Sequence, residues 1–139
     1  MAAPLHLTIS PGEDAPIYRQ IVRQVREAIA GGRLQPGDRL QSHRELAQAL
    51  VISPLTVKKA YDELERAGLV RTARGQGTFV AAASAHLDGE DRLEELRPAA
   101  RRLVHEAYLA GVDERELSQL LAEERACLEE EQRRRKDRV

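Results

Sequence analysis

Two helix starts stand almost back to back in this chain, and few folds accept that. Ser42-His43-Arg44-Glu45 has capping-box spacing: the Ser42 hydroxyl can take the Glu45 amide while the Glu45 carboxylate reaches back to the Ser42 amide. A short helix through Leu46, Ala49 and Leu50 follows. Only Val51 and Ile52 then precede Ser53-Pro54, a second start with a hydroxyl at the N-cap and a proline at the first helical position, where no donor is needed. Val57, Ala60, Tyr61 and Leu64 recur at helical steps, and Gly68 offers a left-handed stop. Two helices joined by so tight a turn have helix-turn-helix geometry. The second packs through one stripe, while Leu55, Thr56, Lys58, Lys59 and Asp62 fall largely off it. Its first turn is polar, hydroxyl-bearing and positive, as a helix that reads the DNA major groove must be.

The flanking residues complete a small domain. Ile17, Ile21, Val25, Ala28 and Ile29 keep helical spacing up to Gly31-Gly32, and Gln35-Pro36-Gly37-Asp38 reads as a type II turn leading into a short strand at Arg39 and Leu40. Beyond the second start, residues 69–72 and 78–81 flank the tip Ala73-Arg74-Gly75-Gln76-Gly77. Two short strands around an Arg/Gly tip predict a hairpin, the wing of a winged helix. Upstream, Leu5-His6-Leu7-Thr8-Ile9 alternates apolar and polar residues before Ser10-Pro11-Gly12, which predicts an arm or edge segment without an assigned role.

Residues 82–90 are small and polar, a linker by composition. Leu93, Leu96, Ala100, Leu103, Val104 and Ala107 mark a fourth helix up to Gly111, with Pro98 either kinking it or marking its true first turn. Asp113 and Glu116 repeat the capping-box spacing ahead of Leu117, Leu120, Leu121 and Leu128 on a fifth helix, so the tail reads as a helical hairpin. Glu129, Glu130 and Glu131 precede Arg133, Arg134 and Arg135 by one helical turn, the favourable order for ion pairs. The expected architecture is mainly α with a small β-hairpin: a winged helix-turn-helix domain over 1–81, a linker over 82–91, and a two-helix dimerisation tail over 92–139. Two helices bury little of their own apolar area, and a buried leucine is worth about 1.5–3 kcal/mol. Leu93, Leu96, Leu103, Ala107, Leu117, Leu120 and Leu121 are therefore expected to meet a partner surface, which two-fold symmetry supplies as a homodimer.

Composition narrows the function. Aromatics are 3% and tryptophan is absent, so the core must be Leu, Val, Ile and Ala, which favours helices. The net charge of -1 conceals an asymmetry. Residues 1–81 carry 11 Lys/Arg against 8 Asp/Glu, and residues 82–139 carry 11 against 15, so the basic bias lies with the reading helix. Cys127 is the only cysteine, which excludes an internal disulfide framework or zinc cluster and makes a reducing cytoplasm the default. No apolar run approaches the roughly 20 residues of a membrane helix, and no signal segment opens the chain. His43 and His105 have no partners at coordinating spacing, and Gly75-Gln76-Gly77 lacks the strand, helix and third glycine of a nucleotide loop. No catalytic constellation stands out, so neither a cofactor nor enzymatic activity is expected.

The residues Pro16-Ile17-Tyr18-Arg19-Gln20-Ile21, then 32–40, Ser42-His43-Arg44-Glu45-Leu46-Ala47, 54–65 and Gly75-Gln76-Gly77-Thr78-Phe79-Val80 resemble the GntR family of bacterial transcription regulators, and within it the short YtrA-like subfamily. The resemblance implies a DNA-binding transcription regulator, a repressor by expectation, that binds an inverted-repeat operator in double-stranded DNA as a homodimer. Carried over by position, Ser42 and Arg44 lie at the interface with Arg44 reading a base, and Ser53, Thr56 and Lys58 hold contact positions on the reading helix. Arg74, Gly75, Gln76 and Gly77 form the wing that enters the minor groove. Lys58 and Lys59 suit phosphates better than bases, because a point charge on a flexible stem carries little geometric information. Two positions depart from the family pattern. Gln41 replaces a proline and is expected to loosen the turn, and Pro54 stands where many members place a base-reading arginine. The short tail leaves any small-molecule effector unnamed. The rival reading is a winged-helix protein-interaction module whose apolar tail binds another protein.

Overall fold

The computed structural model describes residues 6–82 and 89–138, and the chain divides into two compact units, Met1–Ala85 and His86–Val139. The first unit holds α1 (Ile17–Ala30), α2 (His43–Leu50), α3 (Pro54–Arg66), β1 (Val70–Ala73) and β2 (Gly77–Val80); the second holds α4 (Gly89–Leu109) and α5 (Glu114–Lys136).

The core of the first unit follows the helical periodicities of α1 and α3, whereas in α2 Ala47 is buried and Ala49 of the expected run is exposed. Ile21, Val25 and Ala28 of α1 meet Leu46 and Ala47 of α2 and Val57, Ala60, Tyr61 and Leu64 of α3, closed over by Leu34, Leu40, Val70 and Val80. The α3 stop is a Schellman motif. Gly68 takes a φ of 73°, and the Leu69 amide donates back to the Leu64 carbonyl at 3.0 Å. The wing pairs antiparallel in the register Val70↔Val80 to Ala73↔Gly77, with the Gln76 amide closing onto the Ala73 carbonyl at 2.9 Å. The expected strand at Arg39 and Leu40 is a single bridge, Arg39 to Phe79. Val80 donates to Asp38 and Leu40 to Thr78, each at 2.8 Å, so the inner edge of the wing is covered.

Val51, the only non-glycine among the described residues at positive φ, makes the helix-turn-helix turn at φ 56° and ψ 52°. That conformation crowds a β-branched side chain. The side chain is 89% exposed and packs on nothing that would offset the strain. Val51→Gly is therefore expected to stabilise the unit by about 1 kcal/mol, which raises the thermal midpoint by about 4–8 °C for a unit of this size. A lowered midpoint in a circular-dichroism melt would show the strain to be absent.

The upstream arm is no edge strand of the sheet. Leu7 and Ile9 pack on the core, while two glutamines of α1 bind the arm's backbone; Leu5 lies outside the described residues. The Gln24 side chain accepts from the Thr8 amide at 2.9 Å and donates to the Thr8 carbonyl at 2.7 Å. Gln20, 1% exposed, accepts from the Ser10 amide at 2.9 Å and donates to the carbonyls of Ser10 and Ala15 at 3.0 and 2.9 Å. Side-chain amides spaced one helical turn apart thus stand in for a neighbouring strand along alternate arm residues.

In the second unit α4 begins at Gly89, inside the segment expected to be linker, and residues 83–88 of that segment lie outside the described residues. Pro98 sits within α4 rather than at its first turn. The α5 capping box is complete: the Asp113 carboxylate takes the Glu116 amide at 2.9 Å, and the Glu116 carboxylate takes the Asp113 amide at 3.1 Å. Glu130 pairs with both Arg133 and Arg134. The expected helical hairpin is open. The Val112 amide closes the turn onto the Ala107 carbonyl, but α4 and α5 make little contact along their lengths and no residue of α5 is buried.

Candidate nucleic-acid interface

The first turns of α2 and α3 share one shallow depression of about 380 Å³, lined by Ser42, His43, Arg44, Pro54, Leu55 and Lys58. Both starts are capped by their serines, but the expected capping box at Ser42 is only half made, since no bond returns from the Glu45 carboxylate to the Ser42 amide. The Ser42 hydroxyl accepts from the Glu45 amide at 3.1 Å, and the Ser53 hydroxyl accepts from the Leu55 amide at 3.2 Å. Each serine is exposed, and its hydroxyl hydrogen remains free to donate outward.

Tyr61 of α3 holds the start of α2 in place. Its hydroxyl donates to the Gln41 carbonyl at 2.8 Å, and its ring meets His43 edge-on with centroids 5.1 Å apart. Burial pushes the Tyr61 phenol well above its ordinary range, with the Glu45 carboxylate acting in the same direction, so it stays a neutral donor. This bond to the Gln41 carbonyl is one that a proline at the same position could also accept. The Gln41 backbone is tied down, while its side-chain Oε1 is buried without a hydrogen-bond partner among the described residues. Arg44, on the helical turn that this anchored residue leads into, is exposed, with no described residue bonded to its guanidinium.

The other expected contact residues divide. Lys58 lies in the depression but is paired with Asp62 at 2.8 Å, an exposed link between neighbouring turns. Lys59 is outside it, its ammonium held 4.1 Å from the centre of the Tyr18 ring of α1. Thr56 is half-buried on α3. At the wing tip Arg74, Gly75 and Gln76 are exposed, and Gly75 takes the φ of 79° that the turn demands. Gly77 is a backbone position rather than a surface one. At φ 121° a Cβ there would stand 2.9 Å from Arg39 Nε, so the Arg39 side chain lies against the wing. Neither Arg39 nor His43 and Leu55 emerged as a contact residue from the sequence. For Leu55 a signal existed, since helical spacing puts it off the packed stripe of α3.

Residues 17–80 match the model of the family described as bacterial regulatory proteins, gntR family. Over 117 residues the chain is 37% identical to the HTH-type transcriptional repressor YtrA of Bacillus subtilis, covering 84% of this chain and 90% of that protein. The chain belongs to the GntR family. Among solved structures, its fold is matched by a transcriptional antiterminator from Listeria monocytogenes with a TM-score of 0.74 at 34% identity, over 88% of this chain and 92% of that one. The AraR DNA-binding domain in complex with operator ORX1 matches with a TM-score of 0.50 at 29% identity, over 55% of this chain and 96% of that one. The chain is thus a GntR-family winged-helix protein and a DNA-binding transcription regulator, and the depression lies within the segment that the family model covers.

Proposed function

We propose that this regulator acts as a homodimeric repressor on an inverted-repeat operator in the cytoplasm, with residues 1–81 reading DNA, residues 82–88 connecting, and α4 and α5 pairing two copies. The observation that carries the reading is the unengaged Arg44 beside the capped first turn of α3 in one depression. Ser42, Ser53, Thr56, Lys58 and the wing tip Arg74-Gly75-Gln76 would supply the remaining contacts. Lys59, held over Tyr18, would serve as a phosphate contact at the margin. Gly77 would shape the wing and Arg39 would add charge beside it.

The tail supports the dimer by what it leaves uncovered. Leu93, Leu96, Leu120 and Leu121 are between 44% and 66% exposed, and Val104, Tyr108 and Leu109 are exposed as well. Leu103 and Leu117 are half-buried, and only Ala107 is buried. A two-fold partner would cover these residues and set the two reading helices about 34–36 Å apart, one turn of DNA. Light scattering on the full chain tests this part. A stable dimer is expected, and a monomer would favour the rival reading, in which the tail binds a different protein.

Binding to the DNA upstream of its own gene, measured by anisotropy across a salt series, tests the whole reading. A folded dimer with no sequence-selective binding would end it. Lys58→Ala should weaken binding evenly across sequences and lower the salt slope by about 1 per protomer, since one phosphate contact is lost and Asp62 is left without its cation. An unchanged slope would remove Lys58 from the phosphate contacts.

A further inference from the structure

Leu55 is the anomaly of the reading surface. It is 75% exposed on the first turn of α3, an apolar side chain in a depression otherwise lined by Ser42, His43, Arg44, Lys58 and the ring of Pro54. The packing of α3 does not need it, because Val57, Ala60, Tyr61 and Leu64 fill the core from the opposite face. The helix cap does not need its side chain either, since only the Leu55 backbone amide donates to Ser53. A residue at this point of a groove-reading helix can meet the edge of a base pair, and the edges differ sharply in what they offer a leucine. Adenine, guanine and cytosine present donors and acceptors that an alkyl group would desolvate without replacing. Thymine alone presents a methyl group in the major groove.

We propose that Leu55, flanked by Pro54, is a specificity-determining residue that reads a thymine 5-methyl group in the same half-site as the base read by Arg44. The proposal rests on the DNA-reading role given to α3 above. It assigns the apolar half of a mixed site: Arg44 selects by hydrogen bonds, and Leu55 selects by burying a methyl and penalising any base that would be left unpaired against it. Pro54, which displaces a base-reading arginine, then contributes as a second apolar wall rather than as a lost contact.

The test removes one methyl group and nothing else. Operator sites are first selected by the wild-type full chain from a random DNA pool, and each thymine of a half-site is then replaced by deoxyuridine, which keeps every hydrogen-bonding group. One thymine per half-site is expected at which the change weakens wild-type binding about fourfold, the value of one buried methyl. The Leu55→Ala chain is expected to bind thymine and deoxyuridine there alike. Its exposed site and intact cap amide leave the fold undisturbed, which its thermal melt verifies. Wild-type binding that is blind to deoxyuridine at every position overturns the proposal, as does a Leu55→Ala chain that keeps the sensitivity. If the wild type selects no sequence at all, the DNA-reading role itself fails, a different result from selective but methyl-blind binding.

Discussion

Gln20→Ala is expected to cost the chain about 2–4 kcal/mol of stability, the largest effect of any single substitution considered. The Gln20 side chain is buried against the core and satisfies three backbone groups of the arm at 2.9–3.0 Å. Truncation strips the Ser10 amide and the Ala15 carbonyl of their partners, while the Ser10 carbonyl keeps the Glu13 amide at 3.1 Å, and each buried polar group left unpaired costs about 1–3 kcal/mol. Water entering from the exposed side of Ser10 offsets part of this, so the sum falls short of two full penalties. The loss should be read from urea unfolding of the full chain, with Gln24→Ala as the comparison. Gln24 makes its two bonds to Thr8 in an exposed setting and should cost distinctly less. Equal effects from the two variants would mean that burial of Gln20 contributes nothing beyond hydrogen bonding.

Arg44→Ala should have the largest effect on recognition. A bidentate arginine on a guanine is worth about 1–3 kcal/mol of discrimination, so base preference at one position of each half-site should fall by about 5- to 150-fold. The geometry favours so sharp a role because the residue is free while its backbone is not: Tyr61 fixes the step at Gln41, and the Ser42 cap fixes the first turn of α2. Arg44→Lys keeps the charge but loses the planar fork, and it should lose preference while keeping more of the affinity. Sites selected from a random pool by each variant provide the measurement. If Arg44→Ala retains the wild-type preference, the base is read elsewhere, with the wing as the first alternative.

Much of this molecule was legible because its decisive signals are local. A cap needs a hydroxyl or carboxylate and an amide two or three residues apart, and Ser42, Ser53 and Asp113 have them; a left-handed stop needs only Gly68 or Gly111 at the right step. The helical periodicity of α1 and α3 likewise named the buried set, because one face of a helix is fixed by its own geometry. The short strand at Arg39 was half-legible. Its turn at Gly37 is local, but its pairing with Phe79 crosses most of the domain.

By itself, then, the sequence determined where the elements of the first unit start and stop and which stripe of α1 and α3 faces the core. The tertiary structure alone decided how those residues are held. It put Lys59 over Tyr18 and Lys58 on Asp62, anchored Arg44 through Tyr61, bound the arm through Gln20 and Gln24, and left Leu55 standing outward beside Arg44. It also left α4 and α5 with little contact along their lengths and no residue of α5 buried. The physical reason is separation along the chain. Caps and stripes are set by neighbours within one or two helical turns, whereas a ring under an ammonium or a glutamine across a backbone depends on how distant segments pack, and no local pattern encodes that.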